Sequence, residues 1–110
     1  GYAYVSAYVA SKHGLLGLTR ALAQETAKLG VTVNCVCPGY VDTPIIAESV
    51  DRLTSKTSLT PEAAHASLIQ FNPQGRIITP EEVAAAIAYL CTDVAAAING
   101  AAIPIAGGEI

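Results

Sequence analysis

The sequence predicts an α/β fold with parallel strands, and three observations carry that prediction. A proline-free stretch with helical patterning, residues 6–29, ends at Gly30 and runs directly into "VTVNCVCP", an almost wholly apolar run of β-formers. A helix, one glycine and a buried strand in succession is the connection typical of layered parallel α/β structure. Three Thr-Pro dipeptides then mark further helix starts, and "AAIPIAGG" near the end supplies a second short strand.

Each element has a local reason. In "SAYVASKHGLLGLTRALAQETAKL" the apolar residues recur at three- and four-residue intervals through Leu15, Leu18, Leu22 and Leu29, the period of one long helix. Gly30 suits a left-handed stop. Residues 31–38 read as a strand covered on both faces, and Pro38 and Gly39 end its pairing and turn the chain. A short helix begins near Thr43 and Pro44. A second has Thr60 as cap with Pro61 in the first helical position, and a third has Thr79 and Glu82 at capping-box spacing. The shared Thr-Pro is helix-start chemistry and not an internal repeat, because the residues that follow do not match over any fixed period. "NPQGR" reads as a loop. In the last segment Pro104 cannot donate a ladder hydrogen bond, which suits an edge strand. Two strands make a poor parallel sheet by themselves, so the chain reads as the second half of a fold.

Composition bounds the function. The 110 residues suffice for one small domain or a piece of a larger one, with 52% apolar and only 14% charged residues. That balance predicts apolar surface facing a partner chain or another part of the same fold. A net charge of −3 with six scattered basic residues leaves no stripe on which a nucleic-acid backbone could lie. No apolar run approaches the ~20 residues of a membrane span, and the amino end lacks the regions of a signal peptide, so a soluble, cytoplasmic chain is expected. Cys35, Cys37 and Cys91 are odd in number and lack the paired spacing of a zinc site, and are expected to be reduced core thiols. The chain contains no methionine, which fits either loss of an initiator or a segment of a longer protein.

Tyr8 and Lys12, in "YVASK", stand four apart and rise from one helix face. A phenol with a pKa near ~10 needs stabilisation of its anion by roughly 4 kcal/mol to exchange protons near neutral pH. A unit positive charge about 4 Å away at an effective dielectric of ~20 supplies an energy of that order. Taken alone, the pair fits either a reaction centre or a tyrosine packed at a helix interface beside a lysine that snorkels to water.

The context separates the two. "YVASK" at residues 8–12, "NCVCPGYVDTP" at 34–44, "PEEVA" at 80–84 and "NGAAIPIAGG" at 99–108 stand in an order and spacing that resemble the carboxyl-terminal half of the classical short-chain dehydrogenases/reductases. The resemblance covers nearly the whole chain. It implies a Rossmann-like doubly wound parallel sheet, of which residues 1–110 would be the carboxyl-terminal half of a single NAD(P)-binding domain. It implies that Tyr8 is the general acid/base, and that Lys12 holds the nicotinamide ribose and lowers the tyrosine's pKa. Pro38 and Gly39 match the turn beside the nicotinamide, Val41 a main-chain contact to its carboxamide, and Thr43 a hydroxyl near that group and the pyrophosphate. Asn34 matches a polar position that can be structural. The implied cofactor is NAD or NADP, with no metal. The implied substrate is a small-molecule alcohol or ketone, with a leaning toward 3-hydroxyacyl or 3-hydroxybutyrate-like compounds, and the implied assembly is a homodimer or homotetramer.

The family's glycine-rich loop and catalytic serine precede its tyrosine, and only seven residues precede Tyr8. Ser6, two residues away, points to a different side of the helix and does not replace that serine. The alternative is therefore a catalytically incomplete fragment that serves as a helix-mediated oligomerisation or interaction module. Arg76, His65 and His13 read as exposed or helix-facing residues and not as site groups.

Overall fold

The computed structural model describes residues 4–109. Its order is α1 (Ser6–Thr26), a 3₁₀ turn (Ala27–Leu29), β1 (Cys35–Pro38), α2 (Pro44–Lys56), α3 (Pro61–Ile69), α4 (Pro80–Leu90), a 3₁₀ turn (Asp93–Ala95) and β2 (Ala102–Ile105). The residues form two compact units, one made of the chain up to Val36 with Tyr89–Ile103, the other of Cys37–Ala88 with the residues from Pro104 onward.

In the first unit α1 starts without a side-chain cap or an acidic residue in its first turn, and Ala23 is its buried apolar residue. Thr19 is buried, and its hydroxyl is satisfied by donating to the Leu15 carbonyl at 2.9 Å. Gly30 closes the helix as expected, with φ +73° and its N–H donating to Ala27 O at 3.1 Å.

The strand is shorter than residues 31–38. Backbone groups ahead of it are taken by the turn before β2: Asn99 Oδ1 accepts from Val33 N–H at 2.8 Å, and Val33 O accepts from Gly100 N–H at 2.8 Å. Asn34 clamps the same turn, donating from Nδ2 to Ile98 O at 2.7 Å and accepting at Oδ1 from Ala101 N–H at 3.0 Å. These bonds satisfy the chain without a regular ladder, so pairing starts only at Cys35.

β1 and β2 form a two-stranded sheet. Cys35 N–H donates to Ala101 O and Gly39 N–H to Ile105 O, so the strands advance together and are parallel. The alternation puts Ala101, Ile103 and Ile105 in register with β1 and turns the imide nitrogen of Pro104 to the outer edge, as an edge strand requires. The expectation of a strand covered on both faces is corrected. Cys35 and Val36 are half-buried and Cys37 and Pro38 exposed, because the neighbouring strand β2 covers an edge of β1 and not its faces, which only packed layers cover. The cysteines are thiols, but Cys37 and Cys91 are exposed and not in the core. Leu15, Leu18, Tyr89 and Val94 are exposed as well, which is the apolar surface the composition called for.

In the second unit the helix starts differ in how they are capped. Thr60 Oγ1 accepts from Ala63 N–H at 3.2 Å. Thr79 and Glu82 form the reciprocal box, Thr79 N–H donating to Glu82 Oε2 at 2.8 Å and Glu82 N–H to Thr79 Oγ1 at 3.3 Å. Ile46, Ala64, Leu68, Ile78 and Ala106 form the buried apolar core of this unit.

Candidate active site

In the first unit Tyr8 and Lys12 emerge from the first turns of α1. Tyr8 is 62% exposed, and Lys12 Nζ lies 5.2 Å from the Tyr8 ring centroid. That distance is within cation–π range and places a positive charge on the phenol's own face of the helix. Neighbouring polar groups are engaged elsewhere. Ser11 Oγ donates to Tyr8 O at 2.7 Å, and His13 Nδ1 lies 2.9 Å from Val9 O, which turns the imidazole back on its own helix.

In the second unit Pro38 ends β1, and Gly39 approaches the carboxyl-terminal segment so closely that a Cβ there would lie 3.2 Å from Ala106 Cα. Any larger residue would displace that backbone. Val41 forms an isolated parallel bridge with Ile78. The bonds of that bridge belong to the residues on either side: Ile78 N–H donates to Tyr40 O at 2.9 Å, and Asp42 N–H donates to Ile78 O at 2.9 Å. By the alternation of extended backbone, the N–H and C=O of Val41 itself face away from Ile78.

Thr43 opens α2 in an extended conformation, and its side chain makes no capping bond. Of three Thr-Pro starts alike in sequence, this one leaves its hydroxyl out of the helix. Thr43 and Asp42 lie on the wall of a cavity with Ile46, Asp51, Glu62 and His65. The Glu62 carboxyl is held below its ordinary range by its own backbone amide and then by the Thr60 hydroxyl.

Arg76 is exposed, as its place in the loop predicted, and is engaged within the chain. Its guanidinium forks onto the Glu82 carboxylate at 2.7 and 2.6 Å. His65 is an exposed residue of α3 on the cavity wall. Sequence reading missed Asn72, which is buried, only 6% exposed, in what had the composition of a plain loop. The Asn-Pro before Gly75 was the available signal.

A family model described as enoyl-(acyl carrier protein) reductase matches residues 1–109. A crystal structure of a short chain dehydrogenase family protein from Francisella tularensis subsp. tularensis SCHU S4 aligns with a TM-score of 0.94 and 30% identity, covering 99% of this chain and 45% of that one. The chain belongs to the short-chain dehydrogenase/reductase family. Among other relatives, the D-β-hydroxybutyrate dehydrogenase of Cupriavidus necator is 39% identical over 106 residues, which is 96% of this chain and 41% of that protein. A crystal structure of an actinorhodin polyketide ketoreductase variant with NADPH aligns with a TM-score of 0.91 and 39% identity, covering 99% of this chain and 42% of that one. This short-chain dehydrogenase/reductase chain thus spans roughly two fifths of its relatives' length, 41% and 42% in these two cases. The expected class, part of a Rossmann-like doubly wound parallel sheet, is the one the family has. Among the described residues no helix is long and apolar enough to cross a membrane, and no group of histidine, cysteine and carboxylate side chains could hold a metal.

Proposed function

We infer that residues 1–110 are the carboxyl-terminal half of a single NAD(P)-binding domain in a cytoplasmic oxidoreductase that interconverts a secondary alcohol and a ketone. The observation that carries this reading is the Tyr8–Lys12 pair, exposed on α1 at 5.2 Å, in a chain of this family. NAD or NADP fits the groups that each unit offers: in the second, a Thr43 hydroxyl that makes no capping bond and the main-chain N–H and C=O of Val41, which face away from Ile78; in the first, the Lys12 ammonium. Those are donors and an acceptor of the kind that a carboxamide, a pyrophosphate and ribose hydroxyls require.

When bound, the nicotinamide supplies or accepts the hydride. Tyr8 then gives its phenolic proton to the substrate oxygen in reduction, or removes the hydroxyl proton in oxidation. Lys12 stabilises the phenolate that reduction leaves, and holds ribose hydroxyls with its remaining donors. Pro38 and Gly39 would shape the backbone against which the nicotinamide is held, and Thr43 would supply a hydroxyl donor to the cofactor. The substrate class is a 3-hydroxyacyl or 3-hydroxybutyrate-like compound, supported by the relatives named a D-β-hydroxybutyrate dehydrogenase and a polyketide ketoreductase. A homodimer or homotetramer would cover Leu15 and Leu18 of α1, and sedimentation as a monomer at micromolar concentration would contradict that assembly.

The test is Tyr8→Phe in the intact protein. Turnover should fall by about 10²–10⁴-fold, the usual contribution of a positioned acid/base, while cofactor affinity stays nearly unchanged. Wild-type turnover in this variant would overturn the assignment. A fold that is stable in residues 1–110 alone and does not respond to NADH or NADPH would instead favour the interaction module.

A further inference from the structure

The loop between α3 and α4 is built around one side chain. Asn72 donates from Nδ2 to Arg76 O at 2.7 Å and accepts at Oδ1 from Gln74 N–H at 2.8 Å, while its own carbonyl accepts from Gly75 N–H at 2.8 Å. A buried amide used this fully fixes the loop's shape, because each bond it lost would leave a polar group unsatisfied. The amide also packs against Gly107, where φ is +62° and a Cβ would come to 2.5 Å from Asn72 Cγ. Pro73 packs on Gly108 in the same way, with its Cγ 3.2 Å from where a Cβ would sit.

Both ends of this loop hold the segment before Thr43. Phe71 stacks at a tilt on Tyr40, with ring centroids 6.4 Å apart. Ile78, 2% exposed, takes the main-chain bonds of Tyr40 and Asp42 and so leaves those of Val41 pointing the other way. Asn72 touches none of residues 39–43 through any of these bonds; it acts through the ends of its loop.

We propose that Asn72 is a positioning residue, which sets the loop of residues 72–78 so that Ile78 presents the main chain of Val41 to the nicotinamide carboxamide. This rests on the assignment of Val41 and Thr43 to the cofactor site. The rest of the cofactor does not depend on Val41, so the loss should be confined to the nicotinamide end.

The experiment compares two probes on the intact protein: the cofactor, NADH or NADPH, and the matching ADP-ribose, with a 2′-phosphate only where the cofactor is NADPH, which carries the remainder of the cofactor without the nicotinamide. Asn72→Ala should weaken NAD(P)H binding by about tenfold or more and leave ADP-ribose binding within about twofold. Asn72→Asp, equal in size and still accepting from Gln74, is the milder variant and should show the same selective loss should Asn72→Ala not fold. Thr60→Ala, which removes a helix cap elsewhere in the unit, should lower the melting temperature and leave both affinities unchanged. Equal loss of both probes in the Asn72 variants, or loss of neither, overturns the proposal. An unsubstituted protein that binds neither probe overturns the cofactor assignment itself, an outcome read before any variant is made.

Discussion

Arg76 and Glu82 meet fork to fork, Nη1 to Oε2 at 2.7 Å and Nη2 to Oε1 at 2.6 Å, and the same carboxylate caps α4 by accepting from Thr79 N–H. The carboxyl is pushed down from its ordinary 4.5 to about 2, first by the bond from Arg76 and next by the amide of Thr79. A carboxyl depressed on folding adds stability that is fully present above its unfolded value and is lost as pH falls toward its folded one. The Glu82→Gln variant should therefore melt slightly below the wild type at neutral pH, with the gap closing between pH 4.5 and about 2. Both partners are exposed, so the gap is small and shrinks in high salt. Thermal melts across that pH range check it, and a gap that widens in acid contradicts it.

The Asn34 side chain joins parts of the first unit far apart in sequence through Ile98 O and Ala101 N–H. The Asn34→Ala variant leaves a part-buried carbonyl and an amide without partners at the head of β1. A loss of about 1–3 kcal/mol is expected, the cost of unsatisfied buried polar groups. Urea unfolding measures it, and an unchanged midpoint would show that water replaces the clamp.

The elements that were legible in the sequence are those whose causes are local. Thr79 and Glu82 are three residues apart, Thr60 precedes Pro61, and Gly30 follows its helix directly, so spacing alone announced the bonds that formed. The features that were not legible have remote causes. Strand pairing begins at Cys35 and not at Val31 because Val33 and Asn34 bond to the turn at residues 98–101, and no pattern within residues 31–38 records that. Asn72 is buried because Gly107 makes room for it, and the two are joined only by folding. The spacing of Tyr8 and Lys12 was legible as one helix face; that Val41 has its main chain turned away from Ile78 was not.

Gly30 occupies φ +73° with nothing within 4 Å of where a Cβ would be. The cost of a side chain there is conformational and not steric. Gly30→Ala should lose about 1–2 kcal/mol, the penalty of the left-handed region for an L-residue, and Gly30→Asn less, since asparagine tolerates that region. Chemical denaturation of the two variants gives the ranking, and alanine as stable as asparagine would refute it.

Thr43 and Thr60 precede prolines in the same way, yet only Thr60 caps its helix, from Oγ1 to Ala63 N–H at 3.2 Å. A hydroxyl that supports its helix and one reserved for a ligand should respond oppositely to removal. Thr60→Ala should cost about 1 kcal/mol of stability, the typical value of a threonine cap, with cofactor affinity unchanged. Thr43→Val keeps the branched shape and the extended backbone but deletes the oxygen. Its melting temperature should stay near that of the wild type while NAD(P)H affinity falls by about tenfold, the loss expected for one hydrogen bond to a charged or strongly polar group. Melting curves and cofactor titrations on both variants give four numbers. If Thr43→Val destabilises the protein as much as Thr60→Ala and leaves cofactor affinity intact, Thr43 is a structural residue, and the placing of the nicotinamide beside the start of α2 fails with it.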